Sequence, residues 1–221
     1  MAYVASLREH VVEELNDLLS AEHQLIEALP EMQKKASRRE LKAAFKSHLA
    51  ETRGHAKRIE QALKLLAEQP SEKTCDAMKG LLEEGEELME GSEGALRDAM
   101  MITAAQKVEH YEIATYGTIR TYAEILGERA VARLMAQTLK EEKAADKKLT
   151  VIAVGGINAQ AATEWHEQQS AAETLQKSAE WLGSTVAGAV TQAKNLMPRS
   201  AAADRKAARN AKRGRSKTRS R

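Results

Sequence analysis

The chain has little of several residue types, and each shortage excludes a class of structure. It contains one cysteine among 221 residues, Cys75, which excludes an internal disulfide and any metal site built from several thiolates. Aromatic residues make up 3% of the sequence and prolines number three, whereas Ala, Leu, Glu and Lys are abundant. This balance favours helices over sheets, so the sequence predicts an all-α protein.

Long apolar runs are also absent. No stretch approaches the roughly 18 residues needed to cross a bilayer, and the chain does not open with a basic and then apolar leader. An apolar content of 43% beside 30% charged residues is enough for one globular domain with a core plus extra length. We therefore expect a cytoplasmic protein with no membrane span.

The net charge of +2 hides an uneven distribution along the chain. Residues 199–221 contain ten Lys or Arg and one acid, so this tail carries +9 and the remainder carries −7. At residues 155–158 the sequence Gly-Gly-Ile-Asn interrupts a helical pattern with turn residues. We predict three parts: a four-helix bundle at residues 1–154, a linker with a weakly amphipathic helix at 155–198, and a disordered basic tail at 199–221.

Four long segments within the predicted bundle carry apolar residues at alternating steps of three and four. They run from residue 7 to a stop near Pro30, from about 38 to 68, from about 93 to 126, and from about 128 to 153. Each segment is amphipathic over a length typical of a bundle helix. The pattern therefore predicts four helices packed around one core.

A fifth segment, Ser71 to Gly91, separates the second and third predicted helices and has Met78, Leu81 and Leu88 in helical spacing. At 1.5 Å per residue its roughly 20 residues reach about 30 Å, the height of such a bundle. Short loops join the first helix to the second and the third to the fourth. The sequence thus predicts two antiparallel hairpins linked by a helical crossover, which is the connectivity of ferritin-like bundles.

Acids and histidines interrupt the apolar stripe near the middle of each of the four helices, where antiparallel packing brings them to one level. These candidate metal ligands are Glu22, His48, Glu51, His55, Glu109, Glu112, Glu141 and Glu142. In the fourth helix the apolar register favours Glu142. An internal repeat that aligns residues 48–52 with 138–142 favours Glu141 instead, and both stay candidates.

Inward carboxylates in a dry core cost several kcal/mol each unless a partner compensates their charge. No inward Lys or Arg is clearly placed at their level, whereas a pair of divalent cations would balance them and explain the histidines. Carboxylate and imidazole ligands suit iron, manganese or zinc. The sequence predicts a carboxylate-rich site for up to two ions, iron or manganese being preferred, with His48 and His55 each either a ligand or a hydrogen-bonding residue.

Four strings in these helices are similar to those of a known family: SAEHQL at 20–25, HLAET at 48–52, AQKVEHYEIA at 105–114 followed by YGT at 116–118, and LKEEK at 139–143 with Asp146. They resemble the YciF-like bacterial stress proteins, also called domain of unknown function 892, over about residues 3–153. The resemblance implies a ferritin-like bundle, often dimeric, associated with stress and without a defined activity. Its matching candidate ligands are Glu22, Glu51, Glu109, Glu112 and Glu141 or Glu142, with His48 conforming.

The chain departs from the Glu-x-x-His pattern of the wider ferritin-like proteins. Three residues after Glu51 stands Gly54, and alanines follow Glu141 and Glu142 at the same distance. Histidine must instead come from His48 or His55, both on the inward face of the second helix. A symmetrical site with a histidine on each of two helices is therefore not predicted.

Two functions from different classes follow from these observations. The preferred one is a stress-related protein with a dinuclear iron or manganese carboxylate site that oxidises metal or consumes peroxide. The alternative is a non-enzymatic, homodimeric scaffold whose tail at 199–221 binds DNA or an acidic partner without sequence preference. The helix within 155–198 is expected to pack on the bundle, on another subunit or, least favoured, on a membrane surface. The sequence leaves open whether the protein is an enzyme.

Overall fold

The computed structural model describes residues 5–196, apart from the side chains of Gln168 and of residues 186–196. Every regular element in this part of the chain is helical. The elements are α1 (Leu7–Lys35), α2 (Arg39–Leu65), α3 (Asp76–Glu90), α4 (Gly94–Ile125), α5 (Arg129–Ile152), a π-helical turn (Ala153–Ile157) and α6 (Asn158–Leu196). The predicted all-α class is confirmed, whereas the predicted tail at 199–221 lies outside the described residues.

The chain divides into two compact units, Met1–Glu167 and Gln168–Arg221. In the first unit α1 packs along α2 and α4 along α5, and the two hairpins are joined face to face through contacts of α2 with α5 and of α1 with α4. The crossover helix α3 packs on the outside of α4 and α1. The predicted boundary after residue 154 coincides with the π-helical turn, and the division of the chain into domains stays a prediction.

The core of the bundle consists of two apolar clusters with a polar layer between them. One cluster contains Leu25 and Leu29 of α1 with Phe45 of α2, and the other contains Leu15 of α1 and Ile59 of α2. Along α2, α4 and α5 the buried histidines and glutamates fall between the residues of the two clusters, and on α1 Glu22 lies where the two clusters meet. Apolar packing above and below thus holds the polar layer at mid-height.

Helix α1 continues past Pro30, where the sequence predicted its end, and stops at Lys35. Proline lacks the backbone N–H that an interior helical position needs, so it normally weakens or kinks a helix. Here Met32 and Ala36 are buried in the core, and the Ala36 N–H bonds to the carbonyl of Met32. The prediction of a stop near Pro30 was wrong because packing of the last turn outweighs the lost hydrogen bond.

The crossover contains a shorter helix than the sequence predicted. Helix α3 has 15 residues, about 22 Å at the usual rise, and residues 68–75 before it are not helical. Asn16 and Ser20 on α1 hold this segment by accepting the N–H groups of Ser71 and Cys75. The connectivity is as predicted, but the non-helical residues 68–75 span part of the bundle height that the predicted helix was to span alone.

The Gly-Gly sequence bends the chain between α5 and α6 without an interrupting loop. Gly156 has φ of +143°, a conformation that residues with a Cβ rarely adopt. Just after the bend, Glu164 accepts the N–H of Ala95 and Gln160 accepts from Arg38, so the first turns of α6 are attached to the bundle. None of the helices among the described residues combines the length and hydropathy needed to cross a membrane. The cytoplasmic location stays a prediction.

Candidate metal centre

Six buried side chains from four helices meet in the polar layer. Helix α2 contributes two histidines spaced by two turns, α4 contributes two glutamates spaced by three residues, and α1 and α5 contribute one glutamate each. These residues are Glu22, His48, His55, Glu109, Glu112 and Glu142, and none is more than 8% exposed. Of the eight candidates from the sequence, the structure brings these six together in the interior.

The ligand atoms form two groups, in each of which they lie within 4.8 Å of one another. The first group is His48, Glu109, Glu112 and Glu142, and the second is Glu22, His55 and Glu142. Each group therefore has one imidazole and at least two carboxylates, a donor set that suits iron, manganese or zinc. Both histidines come from α2, an arrangement that the symmetrical site of other ferritin-like proteins does not have.

Glu142 belongs to both groups and faces them with different oxygens. Its Oε2 lies 3.8 Å from His48 Nε2, and its Oε1 lies 2.7 Å from His55 Nδ1. Each group contains one further close contact. Glu109 Oε1 lies 3.3 Å from His48 Nε2 in the first group, and Glu22 Oε1 lies 3.5 Å from His55 Nδ1 in the second. A carboxylate in this position can bridge two cations, one per group.

Most of the carboxylate oxygens in this layer have no hydrogen-bond partner. Among the described residues, both oxygens of Glu112, Oε2 of Glu142 and one oxygen each of Glu22 and Glu109 are buried without a hydrogen bond. Glu142 Oε1 and His55 Nδ1 contact each other at 2.7 Å but do not meet hydrogen-bond geometry. Native proteins leave few buried polar atoms unpaired, because each costs about 1–3 kcal/mol. Two cations would satisfy this set of lone pairs, so the residues present fit a dinuclear metal centre.

Burial and mutual repulsion raise the pKa of the buried carboxyl groups. Desolvation is the largest cause for Glu109, and the neighbouring Glu142 adds to it, so that despite the attraction of His48 the pKa reaches about 8. Desolvation likewise raises the pKa of Glu22 and brings that of Glu112 well above its usual range. Without a metal, Glu109 therefore holds a proton at neutral pH that a bound cation would displace.

The pKa values of the two imidazoles are also raised, in this case because carboxylates surround the rings. Burial acts to lower the pKa of His48, but the hydrogen bond to Glu51 and the charges of Glu109 and Glu142 outweigh it and raise the pKa to about 9. For His55, burial is again outweighed, here by the facing Glu142 and Glu22, and the pKa rises to about 10. Without a metal, both imidazoles therefore hold a second proton at neutral pH, which a cation that binds them would displace.

The remaining two candidates, Glu51 and Glu141, lie at the rim and contact the outer nitrogens of the histidines. Glu51 Oε2 lies 3.4 Å from His48 Nδ1, and Glu141 Oε2 lies 3.0 Å from His55 Nε2. The side chain of Glu51 is 43% exposed and that of Glu141 is 29% exposed. Each histidine thus directs one nitrogen into the layer and the other to a rim carboxylate, an arrangement that orients metal-binding imidazoles.

Two neighbours complete the layer. The Tyr116 hydroxyl donates to Glu22 Oε1, and Arg58 Nη2 donates to Glu141 Oε2 at 2.5 Å. The sequence pattern did not indicate Arg58. The available signal was its position three residues after His55, which places both side chains on nearly the same face of α2.

A cavity of about 770 Å³ reaches the first group from the side of α3. Its walls are largely apolar, with Leu25, Phe45 and Leu82 among them, and His48, Glu51 and Glu109 also line it. The second group is not part of this lining. Small molecules or ions therefore have a route from the surface to one side of the polar layer.

The helix order, the crossover and the central carboxylate layer define a ferritin-like four-helix bundle. The model of the family called domain of unknown function DUF892 matches residues 6–162. The chain therefore belongs to the DUF892 family, as the resemblance of its four strings implied.

Two known proteins illustrate the relationship at different distances. The protein YciF of Escherichia coli strain K12 is 47% identical over 149 residues, which are 66% of this chain and 90% of YciF. The crystal structure of that stress protein matches with a TM-score of 0.68 at 44% identity, over 70% of this chain and 99% of its own. The bacterioferritin-related protein of Bacteroides fragilis, a dodecameric thioferritin, matches at 17% identity over 74% of this chain and 90% of its own, with a TM-score of 0.51. The last similarity concerns the fold alone.

Proposed function

We propose that this protein binds two divalent transition-metal ions, iron or manganese, in the polar layer of its bundle. One ion would be held by His48, Glu109, Glu112 and Glu142, and the other by Glu22, His55 and Glu142. The observation that carries the proposal is the set of buried carboxylate oxygens without hydrogen bonds, arranged as two groups that share Glu142. Zinc would fit the donor set as well, and the choice of iron or manganese rests on the proposed redox role.

The proposed activity is oxidation of the bound metal or consumption of peroxide during stress. A bound pair of iron or manganese ions supplies redox equivalents that neither carboxylates nor imidazoles possess. The chain's own residues bind and orient: Glu51 and Glu141 hold the imidazoles, and Tyr116 donates a hydrogen bond to Glu22. The cavity beside His48 and Glu109 would admit a small oxidant to the first group. The Escherichia coli relative is described as a stress protein, which supports the proposal that this activity serves the cell during stress.

Elemental analysis of protein reconstituted with ferrous or manganous ion tests the binding proposal. We expect about two ions per chain in the unmodified protein and fewer than one in Glu142→Gln, because this substitution removes a carboxylate common to both groups. Glu141→Gln is the matched control: it changes the adjacent residue, which lies at the rim, and should keep at least one ion. Protein without metal above background, or equal losses in the two variants, would contradict the proposal.

The redox proposal needs a separate measurement. Absorbance at the ferric edge after addition of ferrous ion and peroxide should rise faster with the unmodified protein than with Glu142→Gln or with buffer alone. Metal that binds without any such acceleration would leave the centre as a binding site and refute the proposed activity.

A further inference from the structure

Helix α6 continues far beyond the part of the chain that resembles the DUF892 family. The family match ends at residue 162, whereas α6 runs to Leu196. In its later turns, Leu175 is 72% exposed and Leu182 is 56% exposed. Large aliphatic side chains at this exposure on a regular helix indicate a face that another molecule covers.

The apolar residues of this extension follow a heptad pattern. Starting at Ala172, they recur at alternating steps of three and four, the spacing of positions a and d in a coiled coil. The positions are Ala172, Leu175, Ala179 and Leu182, and the sequence continues the same spacing at Val186, Ala189, Ala193 and Leu196. We name this set the α6 seam. Eight successive positions without a polar residue predict a helix that packs lengthwise against another helix.

Charged residues avoid the seam and the positions beside it. Between 172 and 196 the charged residues are Glu173, Lys177, Glu180 and Lys194, and in the register of the seam they occupy positions b and f only. Glu173 and Lys177 approach each other at 3.8 Å on that outer face. The flanking positions e and g hold small or uncharged residues, including Ser178, Gly183 and Thr185. A second helix can therefore approach closely without burying charge.

We propose that the α6 seam pairs with the α6 seam of a second copy of this chain, in antiparallel orientation. Full overlap of residues 172–196 sets Leu175 against the partner's Ala193 and Ala172 against the partner's Leu196, while nearer the dyad a small pair, Ala179 with Ala189, alternates with a large pair, Leu182 with Val186. Such alternation of small and large side chains lets two helices interdigitate. The pairing is isologous and closes as a dimer.

The charge of the adjoining sequence selects the antiparallel orientation. Residues 199–221 carry +9 immediately after the seam. A parallel pair would bring two such segments together, whereas an antiparallel pair places their attachment points about 37 Å apart, several Debye lengths at physiological salt. Opposed helix dipoles favour the same orientation.

The area of the seam sets the expected strength of the pair. A helix of 25 residues is about 37 Å long, and burial of roughly half its circumference covers about 550 Å² on each copy. The total of about 1,100 Å² lies at the lower end of specific interfaces, among transient complexes. A membrane surface is a weaker fit, since residues 172–196 contain two acids and two lysines rather than the basic polar face of interfacial helices.

Cysteine cross-linking in the full chain tests the pairing and its orientation. In a Cys75→Ser background, where serine keeps a helix-capping side chain, single cysteines replace Leu182, Ala172 or Glu180. A short bismaleimide should convert the Leu182→Cys protein to covalent dimers, because the two copies of residue 182 lie near the dyad. The Ala172→Cys copies lie about 36 Å apart along the antiparallel pair and should not react with each other. The Glu180→Cys residues at position b face outward and should not react either.

A second substitution distinguishes specific packing of the α6 seam from nonspecific hydrophobic association. In the Leu182→Cys background, Leu175→Glu should lower the dimer yield at least about tenfold, because it buries a carboxylate in the seam. Trp181→Ala is the control, since Trp181 is 66% exposed but lies outside the seam at position c; it should leave the yield unchanged. Circular dichroism verifies that each variant keeps its helix content.

Several results would overturn the proposal. Equal yields at residues 172 and 182 would indicate a parallel pair, and equal yields at 180 and 182 would indicate association through another surface. A greater loss with Trp181→Ala than with Leu175→Glu would exclude the seam. Absence of cross-linking, with co-flotation on vesicles of phosphatidylglycerol, would assign the face to lipid instead.

Discussion

At the scale of single residues, the proposed metal binding of the polar layer opposes the stability of the metal-free protein. Glu112 shows the conflict most clearly, because it is fully buried and neither of its oxygens has a hydrogen bond among the described residues. A buried acid without a partner destabilises the fold whether it holds its proton or loses it. Such residues persist where the missing partner is a ligand.

Replacement of Glu112 by methionine should therefore stabilise the metal-free protein. We expect the free energy of unfolding after chelator treatment to rise by about 1–3 kcal/mol, since an unbranched apolar side chain replaces unpaired oxygens at similar length. Urea denaturation measures the change, and metal content should fall in the same variant. Glu51→Gln at the exposed rim is the control and should gain nothing. A less stable metal-free Glu112→Met protein would show that Glu112 has a structural partner.

The stability of the metal-free protein should decrease as the pH rises from about 6 to about 9. Glu109, with a pKa near 8 in the folded state, and His48 and His55, with pKa values near 9 and 10, are all raised above their usual values. Each therefore contributes stability below its ordinary pKa and loses it as the pH rises through the folded value. Glu51 has a lowered pKa, so its contribution is lost only under acid conditions.

Thermal denaturation at several pH values measures this dependence. The metal-loaded protein should show the opposite trend over the same range, because cations displace the protons and bind better as the pH rises. The Glu109→Gln, His48→Gln double variant should show a flatter pH profile without metal. A metal-free melting temperature that increases from pH 6 to pH 9 would contradict the assigned protonation.

At the scale of elements, a side chain of α4 fixes the corner between α1 and α2. Asp98 is fully buried, and its two oxygens accept the N–H groups of Ser37 and Arg38, each at 2.7 Å. Arg38 is the N-cap residue of α2 and has no side-chain cap of its own. The carboxylate from another helix therefore fixes the two residues that lead into α2, the helix that carries both histidines.

Asp98→Ala should lower the free energy of unfolding by about 2–4 kcal/mol, because it removes two charge-assisted hydrogen bonds and leaves two donors unpaired. Asp98→Asn keeps one acceptor and should lose less. Glu93→Ala is the control, since Glu93 occupies the N-cap of α4 without a side-chain cap hydrogen bond. Chemical denaturation compares the three, and equal effects for Asp98→Ala and Glu93→Ala would refute the role of Asp98 in fixing this corner.

At the scale of the whole molecule, the sequence separates an acidic body from a basic end. The ten Lys and Arg of residues 199–221 lie outside the described structure, so their role stays a prediction from charge alone. Binding through such a segment would be insensitive to base sequence and sensitive to salt. It is compatible with a metal centre in the bundle and with paired α6 helices.

Deletion of residues 199–221 should abolish retention on double-stranded DNA at low salt. For the intact chain, the logarithm of the binding constant should fall with the logarithm of salt concentration with a slope of up to about −9, if all ten basic residues contact phosphates. A full-length variant with these residues changed to glutamine is the matched control for chain length. Retention that survives both changes would place DNA binding elsewhere or exclude it as a function of the tail.

Most of the fold could be predicted because it rests on local periodicity. Apolar steps of three and four identify helices, and loop lengths identify neighbours, so the bundle and its crossover follow from the sequence. The end of α1 could not be predicted in this way. Proline is a local signal for termination, but burial of Met32 and Ala36 against other helices carries α1 past it.

The sequence by itself determined that eight acids and histidines lie near one level of four helices, since position along a helix depends only on the rise per residue. It did not separate Glu51 and Glu141 at the rim from Glu142 in the interior. That distinction depends on how each helix is rotated about its axis and on which side chains of the neighbouring helices face it. Glu141 and Glu142 are adjacent in sequence, but this rotation points one to the rim and the other into the interior. Only the tertiary structure decided that Glu142 faces both histidines, because both groups exist only once α1, α2, α4 and α5 are packed together.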